Sequence, residues 1–184
     1  MALFPTRYSL FALLLLLAAC SRQPSITGEW ALTEVRLLDQ MSRSTVNINV
    51  SNPDATKQQF RALYGEKFLA EEAGDGEWES EIDTILAYAQ KAGLRLSSNR
   101  EFGMDSYGLI VPKAVPGWNF GDRLLGEWNL KKDTLALTIG DGEIGYTFRF
   151  IVLEKSSKML KLRELQDVGS GSVILGNETT YSRK

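Results

Sequence analysis

The chain has 184 residues, of which 43% are hydrophobic and 24% are charged, a balance typical of one globular domain with its own core. It contains no histidine and one cysteine, which excludes histidine-based catalytic triads, histidine-ligated metal sites and an internal disulfide. The formal net charge of −2 provides no broad basic field, so nucleic acid is not expected as a partner. We also predict no cofactor.

The first 19 residues have the pattern of an export signal. Arg7 precedes an apolar run over residues 10–19, which is too short for a membrane-spanning helix of about 20 apolar residues. The run ends in Leu17-Ala18-Ala19-Cys20, which resembles the lipobox of bacterial lipoproteins. The alternative is an ordinary signal peptide in which a cysteine happens to stand at this place.

The lipobox resemblance implies a processing route. Residues 1–19 are removed as a signal peptide, Cys20 receives lipid on its sulfur and an acyl chain such as palmitate on its new amino group, and residues 20–25 form a tether. In proteobacterial lipoproteins a serine after the cysteine, as Ser21 is here, implies sorting to the outer membrane. Since residues 21–25 contain no acid of the kind that accompanies surface export in some Bacteroidota lipoproteins, we expect the periplasmic face.

The remaining domain, residues 26–184, begins with a strand and continues with a helical insertion. Residues 26–38 are rich in β-branched and aromatic side chains, which predicts a strand. Residues 54–93 are predicted to be helical, with Asp54 as the N-cap of the first helix and Gly93 following the end of the second.

Apolar residues at spacings of three and four support both helices. The two stripes are Phe60, Leu63, Tyr64 and Phe68, then Trp78, Ile82, Ile85, Leu86 and Ala89. An alternative is a hairpin over residues 66–81, because Asp75-Gly76 suits a type I′ turn. The content of Ala, Glu, Leu and Lys favours the helices.

After Gly93 the hydrophobic period changes to two, which predicts strands. The alternating runs lie at residues 94–102, 107–111, 124–130, 135–139, 144–152, 159–165 and 173–181. With the first strand they make eight antiparallel strands joined by short connections. Because closing such a meander removes its exposed edges, we predict an eight-stranded barrel in preference to a sandwich.

The segment Gly28-Glu29-Trp30 resembles the Gly-x-Trp signature of lipocalins, and residues 94–165 are similar to lipocalin-like domains of Bacteroidota lipoproteins. Residues 39–92 depart from this pattern, since they are longer and more helical than the usual first connection. The resemblance implies a barrel that binds small hydrophobic molecules. It also implies that Trp30 and Arg183 form a structural cation–π plug at the bottom of the barrel.

Aromatic residues provide the candidate ligand contacts. Those on faces predicted to point inward are Phe102, Tyr107, Trp128, Tyr146 and Phe148. They line an apolar pocket if the barrel is hollow, and they form its core if the barrel is filled. Trp118 and Phe120 lie instead in a loop rich in Gly and Pro, where they rim the barrel mouth or contact a partner.

Two further motifs are interpreted as structural. Residues 140–145 match G-x-G-x-x-G, but a strand pattern follows, whereas a dinucleotide site needs a helix there. Acidic residues cluster over residues 71–83, where they could bind a divalent cation or supply a carboxylate pair. Solvated helix faces explain that cluster equally well, so we predict no metal site and no catalysis.

The sequence therefore predicts a lipid-anchored envelope protein with a lipocalin-like barrel that binds a small hydrophobic ligand or lipid inside the barrel, without catalysis. The alternative is a solid barrel that docks on an envelope protein through its helices and the loop carrying Trp118 and Phe120.

Overall fold

A computed structural model of the chain describes residues 25–38, 45–65, 77–105, 123–140, 145–167 and 173–184. These residues form nine β-strands and two α-helices. In chain order the elements are β1 (Gly28–Leu38), β2 (Thr45–Asn49), α1 (Pro53–Tyr64), α2 (Glu77–Ala89), β3 (Gly93–Leu96), β4 (Glu101–Asp105), β5 (Arg123–Lys131), β6 (Thr134–Ile139), β7 (Tyr146–Lys155), β8 (Met159–Asp167) and β9 (Val173–Arg183).

Strands β1 and β3 to β9 form a closed antiparallel barrel. Strands β3 to β9 pair consecutively, and β9 returns to pair with β1. Strand β2 is additional and pairs with residues 34–38 of β1, above the stretch at residues 28–31 that pairs with β3. The predicted eight-stranded barrel with a helical insertion is confirmed, and the architecture is consistent with a lipocalin-like fold.

The extra strand β2 was not predicted, although its pattern is visible in the sequence. Val46, Ile48 and Val50 are buried and alternate with more exposed polar residues, as expected for a strand with one face on the core. The run is only five residues long. A pattern this short becomes a strand because an unpaired stretch of β1 lies beside it.

The run at residues 94–102, predicted as one strand, is divided into β3 and β4 by a turn. The backbone nitrogen of Ser97 donates to the carbonyl of Glu101, and Arg100 has a φ of 71°. This left-handed conformation is uncommon for a residue other than glycine, and no glycine stands in residues 97–100 to mark the turn. The alternation of apolar and polar side chains on either side therefore suggested one continuous strand. The predicted run at residues 107–111 lies outside the described residues.

The helical insertion is confirmed, with corrections at both ends: α2 ends at Ala89, and Gly93 is the first residue of β3 and not the residue that follows the helix. The N-cap of α1 is Asn52, whose Oδ1 accepts a hydrogen bond from the backbone nitrogen of Ala55 at 3.1 Å, and not Asp54. Pro53 follows at the first helical position, where its missing N–H costs nothing. The alternative hairpin over residues 66–81 is wrong for its second arm, because α2 begins at Glu77.

Buried side chains of the described residues pack together inside the barrel. Fully buried interior residues include Trp30, Phe102, Leu135, Leu162 and Tyr181. Trp78, Ile82 and Leu86 of α2 belong to the same hydrophobic core, so the insertion is packed into the domain. Burial of each large apolar side chain contributes about 1.5–3 kcal/mol, which makes this core the main source of stability.

The two ends of the barrel differ. At one end, here called the lower end, lie the beginning of β1, the end of β9 and the connections at residues 97–100, 132–133 and 156–158. The opposite end, called the upper end, contains the termini of β1 and β8 and the start of β9.

Candidate functional site at the lower end of the barrel

Trp30 and Arg183 close the lower end of the barrel. The Trp30 side chain is 1% exposed, and its Nε1 donates to the carbonyl of Ile26 at 2.9 Å. The Arg183 guanidinium carbon lies 4.8 Å from the centroid of the Trp30 ring, which is within cation–π range. Arg183 Nη2 also donates to the carbonyl of Thr27 at 2.6 Å. This side chain therefore holds the residues before β1 against the last strand.

Gly28 is required for this approach. Its φ is 143°, and a Cβ atom at this position would lie 3.0 Å from Arg183 Nη2. Both the backbone conformation and the space beside Arg183 favour a residue without a side chain.

Beside this plug is an open groove of about 490 Å³, here called the lower groove. Its lining residues are Ser25, Ile26, Thr27, Ser98, Arg100, Trp128, Leu130 and Lys155. Trp128 is half-buried, its Nε1 donates to the carbonyl of Ser97 at 2.9 Å, and its backbone nitrogen donates to the carbonyl of Arg100 at 2.7 Å. These bonds fix the ring at the edge of the barrel opening.

The lower groove combines apolar and cationic surfaces. Ile26, Trp128 and Leu130 provide the apolar surface, and Arg100 and Lys155 provide positive charge. Arg100 Nη1 donates to Asn129 Oδ1 at 2.9 Å, a neutral partner that leaves its charge uncompensated. Such a groove can bind an amphiphile through ring and aliphatic contacts together with a charge-assisted hydrogen bond.

Among the predicted ligand contacts that the structure describes, Trp128 is the one that lines this groove. Phe102 is 2% exposed and is part of the core. Phe148 and Tyr146 are half-buried on β7, and Phe148 packs against the core opposite Leu137. The other predicted positions, Cys20, Tyr107, Trp118 and Phe120, lie outside the described residues.

A carboxyl group that the sequence analysis did not single out lies inside the barrel towards its upper end. Glu164 pairs directly with buried Phe150, so the two side chains share the inner face of the sheet. Its Oε2 accepts a hydrogen bond from Gln166 Nε2 at 2.9 Å. Burial raises the pKa of Glu164 above its ordinary value. The signal was present, because Glu164 follows Leu160 and Leu162 at the inward positions of β8.

A second missed feature is the carboxylate of Glu178 on the outer face. Its side chain is 6% exposed, and it forms ion pairs with Lys161 at 3.0 Å, with Arg36 at 4.0 Å and with Arg163. The neighbouring pocket of about 180 Å³ also has exposed Leu38 and Leu175 in its lining. Sequence periodicity could not reveal this cluster, because three separate strands supply it.

The acidic cluster and the glycine motif support no cofactor site in the part of the chain that the structure describes. Asp83 of α2 pairs with Lys57 of α1 at 2.7 Å, and Glu79 pairs with Arg61, so these acids join the two helices. Within the described ranges no group of three or more His, Cys, Asp or Glu residues could hold a metal ion. The glycine motif is followed by strand β7, and residues 141–144 within it are outside the described part.

Comparison of the chain with protein-family models, with curated proteins and with solved structures found no match. Function must therefore be inferred from the geometry of the site. In the described ranges of the chain, no helix has the length and apolar character needed to cross a bilayer.

Proposed function

We propose that this chain is a lipid-anchored envelope protein that binds a small hydrophobic ligand or lipid without catalysing a reaction. The observation that carries the proposal is the lower groove of about 490 Å³, with the fixed ring of Trp128 on its apolar side. The groove is open and its surface is more polar than apolar, so it suits an amphiphilic ligand held by both kinds of contact.

The middle of the barrel does not serve as the container in this proposal. Fully buried side chains such as Trp30, Phe102 and Tyr181 occupy it, and protein cores are packed to the density of organic crystals. A ligand is therefore expected at the lower groove, where the surface opens beside Ile26 and Leu130.

The anchor rests on the sequence. Leu17-Ala18-Ala19-Cys20 follows an apolar run, and Ser21 follows the cysteine, so the proposed location is the periplasmic face of the outer membrane. One acyl chain gives only marginal membrane binding, whereas two or three chains give stable attachment. The membrane is thus the first proposed partner.

Binding without chemistry is the form of activity that the groove favours. Its apolar surface and cations can hold a ligand in place, but catalysis by proton transfer uses a group whose pKa is tuned towards the working pH. The groups whose pKa is raised, Glu164 and Tyr181, lie outside the groove.

Native mass spectrometry tests the binding step. The chain from Ser21 onwards contains every described strand and helix, and it can be exported to the periplasm without acylation. We expect a co-purifying small molecule that is lost in Trp128→Ala and retained in Leu125→Ala. Leu125 is on the same strand and is 57% exposed on the other face, so it is a matched control.

Leu130→Ser is the second groove variant, used if Trp128→Ala fails to fold. Wild-type protein that is folded by circular dichroism but carries no co-purifying small molecule would contradict ligand binding. An adduct that persists in both groove variants would place the site elsewhere.

Metabolic labelling with radioactive palmitate tests the anchor separately. The wild-type protein should incorporate label and remain with membranes after an alkaline wash. Cys20→Ala should do neither. Failure of the wild type to incorporate palmitate, or a Cys20→Ala protein that stays particulate, would overturn the anchor.

Protein docking is the second candidate function, and exposed Leu38 and Leu175 favour it. They are 40% and 45% exposed and flank the pocket above the Glu178 ion pairs. Together with the helices and the loop of Trp118 and Phe120, this region would contact an envelope protein. Photo-crosslinking in cells from Leu175 and Trp118 tests this, and the absence of adducts at both positions contradicts it.

A further inference from the structure

The end of the barrel that faces the membrane follows from where the chain enters it. Ser25 and Thr27 are held at the lower end, because their carbonyl groups accept hydrogen bonds from Arg183. Four residues lie between Cys20 and Ser25, and the five residue-to-residue steps that join them reach at most about 17 Å. If Cys20 carries the proposed lipid anchor, the lower end therefore lies against the bilayer.

The lower end is strongly basic. Residues 97–100, 131–133, 155–158 and 182–184 form its surface, and they contain one acidic residue, Asp133. Their seven basic residues are Arg100, Lys131, Lys132, Lys155, Lys158, Arg183 and Lys184. Adding the neighbouring acids Glu29, Glu101 and Glu154 still leaves an excess of three positive charges, although the whole chain has a net charge of −2.

These positive charges are accessible. Lys131, Lys132, Lys158 and Lys184 are exposed, and the ion pairs between described residues are formed by other cations. In contrast, Lys161 and Arg163, higher on the barrel wall, are paired with Glu178. The barrel thus has compensated cations on its side, whereas Lys131, Lys132, Lys158 and Lys184 at its lower end form no ion pair with the described residues.

The lower groove opens among these cations. It is lined by Ser25 and Thr27, where the tether joins the barrel, and by Arg100 and Lys155. Trp128 lies between them with its indole N–H satisfied and its ring half-buried. Tryptophan is enriched at membrane–water interfaces because one part of its ring system is apolar and the other is polar.

We propose that the lower end is a docking surface for anionic phospholipid, and that the lower groove takes the head group of one such lipid from the membrane that holds the anchor. Arg100 and Lys155 contact the phosphate, and Trp128 contacts the upper part of the acyl chains. This proposal rests on the proposed function and names its ligand class.

The anchor and the basic surface act together. The tether keeps the lower end near the head groups at a high effective concentration, so weak electrostatic contacts suffice to orient the domain. Because these contacts are screened within about 10 Å at moderate ionic strength, only cations at this end contribute. The groove then opens onto the bilayer and not onto the periplasm.

Vesicle sedimentation of the unacylated protein from Ser21 tests this without the anchor. We expect binding to vesicles of phosphatidylcholine mixed with phosphatidylglycerol, and no binding to phosphatidylcholine alone. High salt should release the protein. Equal binding to both vesicle types, or no binding to either at low salt, would overturn the proposal.

A pair of matched double variants locates the surface. Lys131→Ala with Lys132→Ala should weaken binding about 25-fold, since each cation near an anionic surface contributes roughly a fivefold gain. Arg36→Ala with Arg149→Ala removes the same charge from the barrel wall and should leave binding nearly unchanged. An equal loss of vesicle binding in both double variants would mean that the net charge of the protein governs binding, and not the position of the cations at the lower end.

Fluorescence quenching by brominated phosphatidylglycerol tests the groove. The wild-type protein should be quenched on binding, whereas Trp128→Phe should bind with similar affinity and lose most of the quenching. Quenching that is unchanged in Trp128→Phe would contradict contact between the groove and lipid. Since none of these measurements involves Cys20, they can fail while palmitate labelling succeeds, and the reverse also holds.

Discussion

Arg183 of the last strand covers Trp30 of the first, with its guanidinium carbon 4.8 Å from the ring centroid. Replacing Arg183 with alanine removes this contact and the hydrogen bond to the carbonyl of Thr27. We expect the free energy of unfolding to fall by about 2 kcal/mol. Urea denaturation followed by tryptophan fluorescence measures the change.

Lys184→Ala is the control for that variant, because it removes a neighbouring exposed charge. It should change stability by less than about 0.5 kcal/mol. Arg183→Lys should be intermediate, since an ammonium group keeps the charge but not the planar donor fork. Equal stability of Arg183→Ala and the wild type would show that the plug is not a stabilising contact.

Gly126→Ala tests the close contact of β5 with its neighbours. A Cβ atom at Gly126 would overlap the carbonyl oxygen of Thr138 and would lie 2.8 Å from the Phe102 ring. Since neither the backbone nor the buried ring can move freely, we expect a loss of about 2–3 kcal/mol in stability. Gly145→Ala, whose nearest atom lies at 3.3 Å, should lose less in the same denaturation experiment.

Glu164→Gln tests the carboxyl inside the barrel. Burial raises the pKa of Glu164, so the folded state takes up a proton at a higher pH than the unfolded state. The wild type should therefore gain stability as the pH falls through the folded-state pKa, because its neutral form is the one that tolerates burial.

In Glu164→Gln the side chain is neutral at every pH, so this gain should disappear and stability at neutral pH should increase. Thermal unfolding at a series of pH values measures both effects. Glu154→Gln, an exposed position on β7, is the control. If the stability of the wild type and of Glu164→Gln changed with pH in the same way, the prediction that burial raises the pKa of Glu164 would be contradicted.

Tyr181→Phe tests a second buried group. Burial raises the pKa of Tyr181 from 10.0 to about 12, so between these pH values the folded state keeps a proton that the unfolded state loses. The free energy of unfolding should thus fall as the pH rises through this window, by about 2–3 kcal/mol in total. Tyr181→Phe should lack this loss.

At neutral pH the same substitution should be nearly neutral, because Thr179, which lies beside Tyr181 Oη, forms no hydrogen bond of ordinary geometry with it. Half-buried Tyr146→Phe serves as the control for the alkaline measurement. Alkaline unfolding curves that coincide for the wild type and Tyr181→Phe would contradict the prediction.

Local pattern was enough to predict the barrel. Apolar and polar residues alternate along β5 to β9, which indicates that one face of each strand packs against the core. The connections are short, and short connections favour antiparallel pairing because parallel strands need long crossovers. The helices of the insertion were equally visible in the spacing of Trp78, Ile82 and Leu86. The turn at residues 97–100 and the short strand β2 were missed, since each depends on the neighbours that the chain meets after folding.

The candidate site was predicted only in part. The inward position of Trp128 followed from alternation, but its place at the barrel edge depends on how far β5 extends past its neighbours. The pattern Gly-x-Trp occurs twice in the sequence, at Gly28 and at Gly126. The structure gives the two glycines different roles, one beside Arg183 and one against Phe102 and Thr138.

The sequence by itself determined the eight-stranded barrel and the position of the insertion, because periodicity is a local property, and its resemblance to lipocalins implied the partners Trp30 and Arg183. Only the tertiary structure decided that the described inward side chains pack into a core, that Trp128 borders a groove and that seven basic residues gather at one end. Those features arise from three connections and the end of β9, which lie far apart in the chain, and barrel closure alone brings them together.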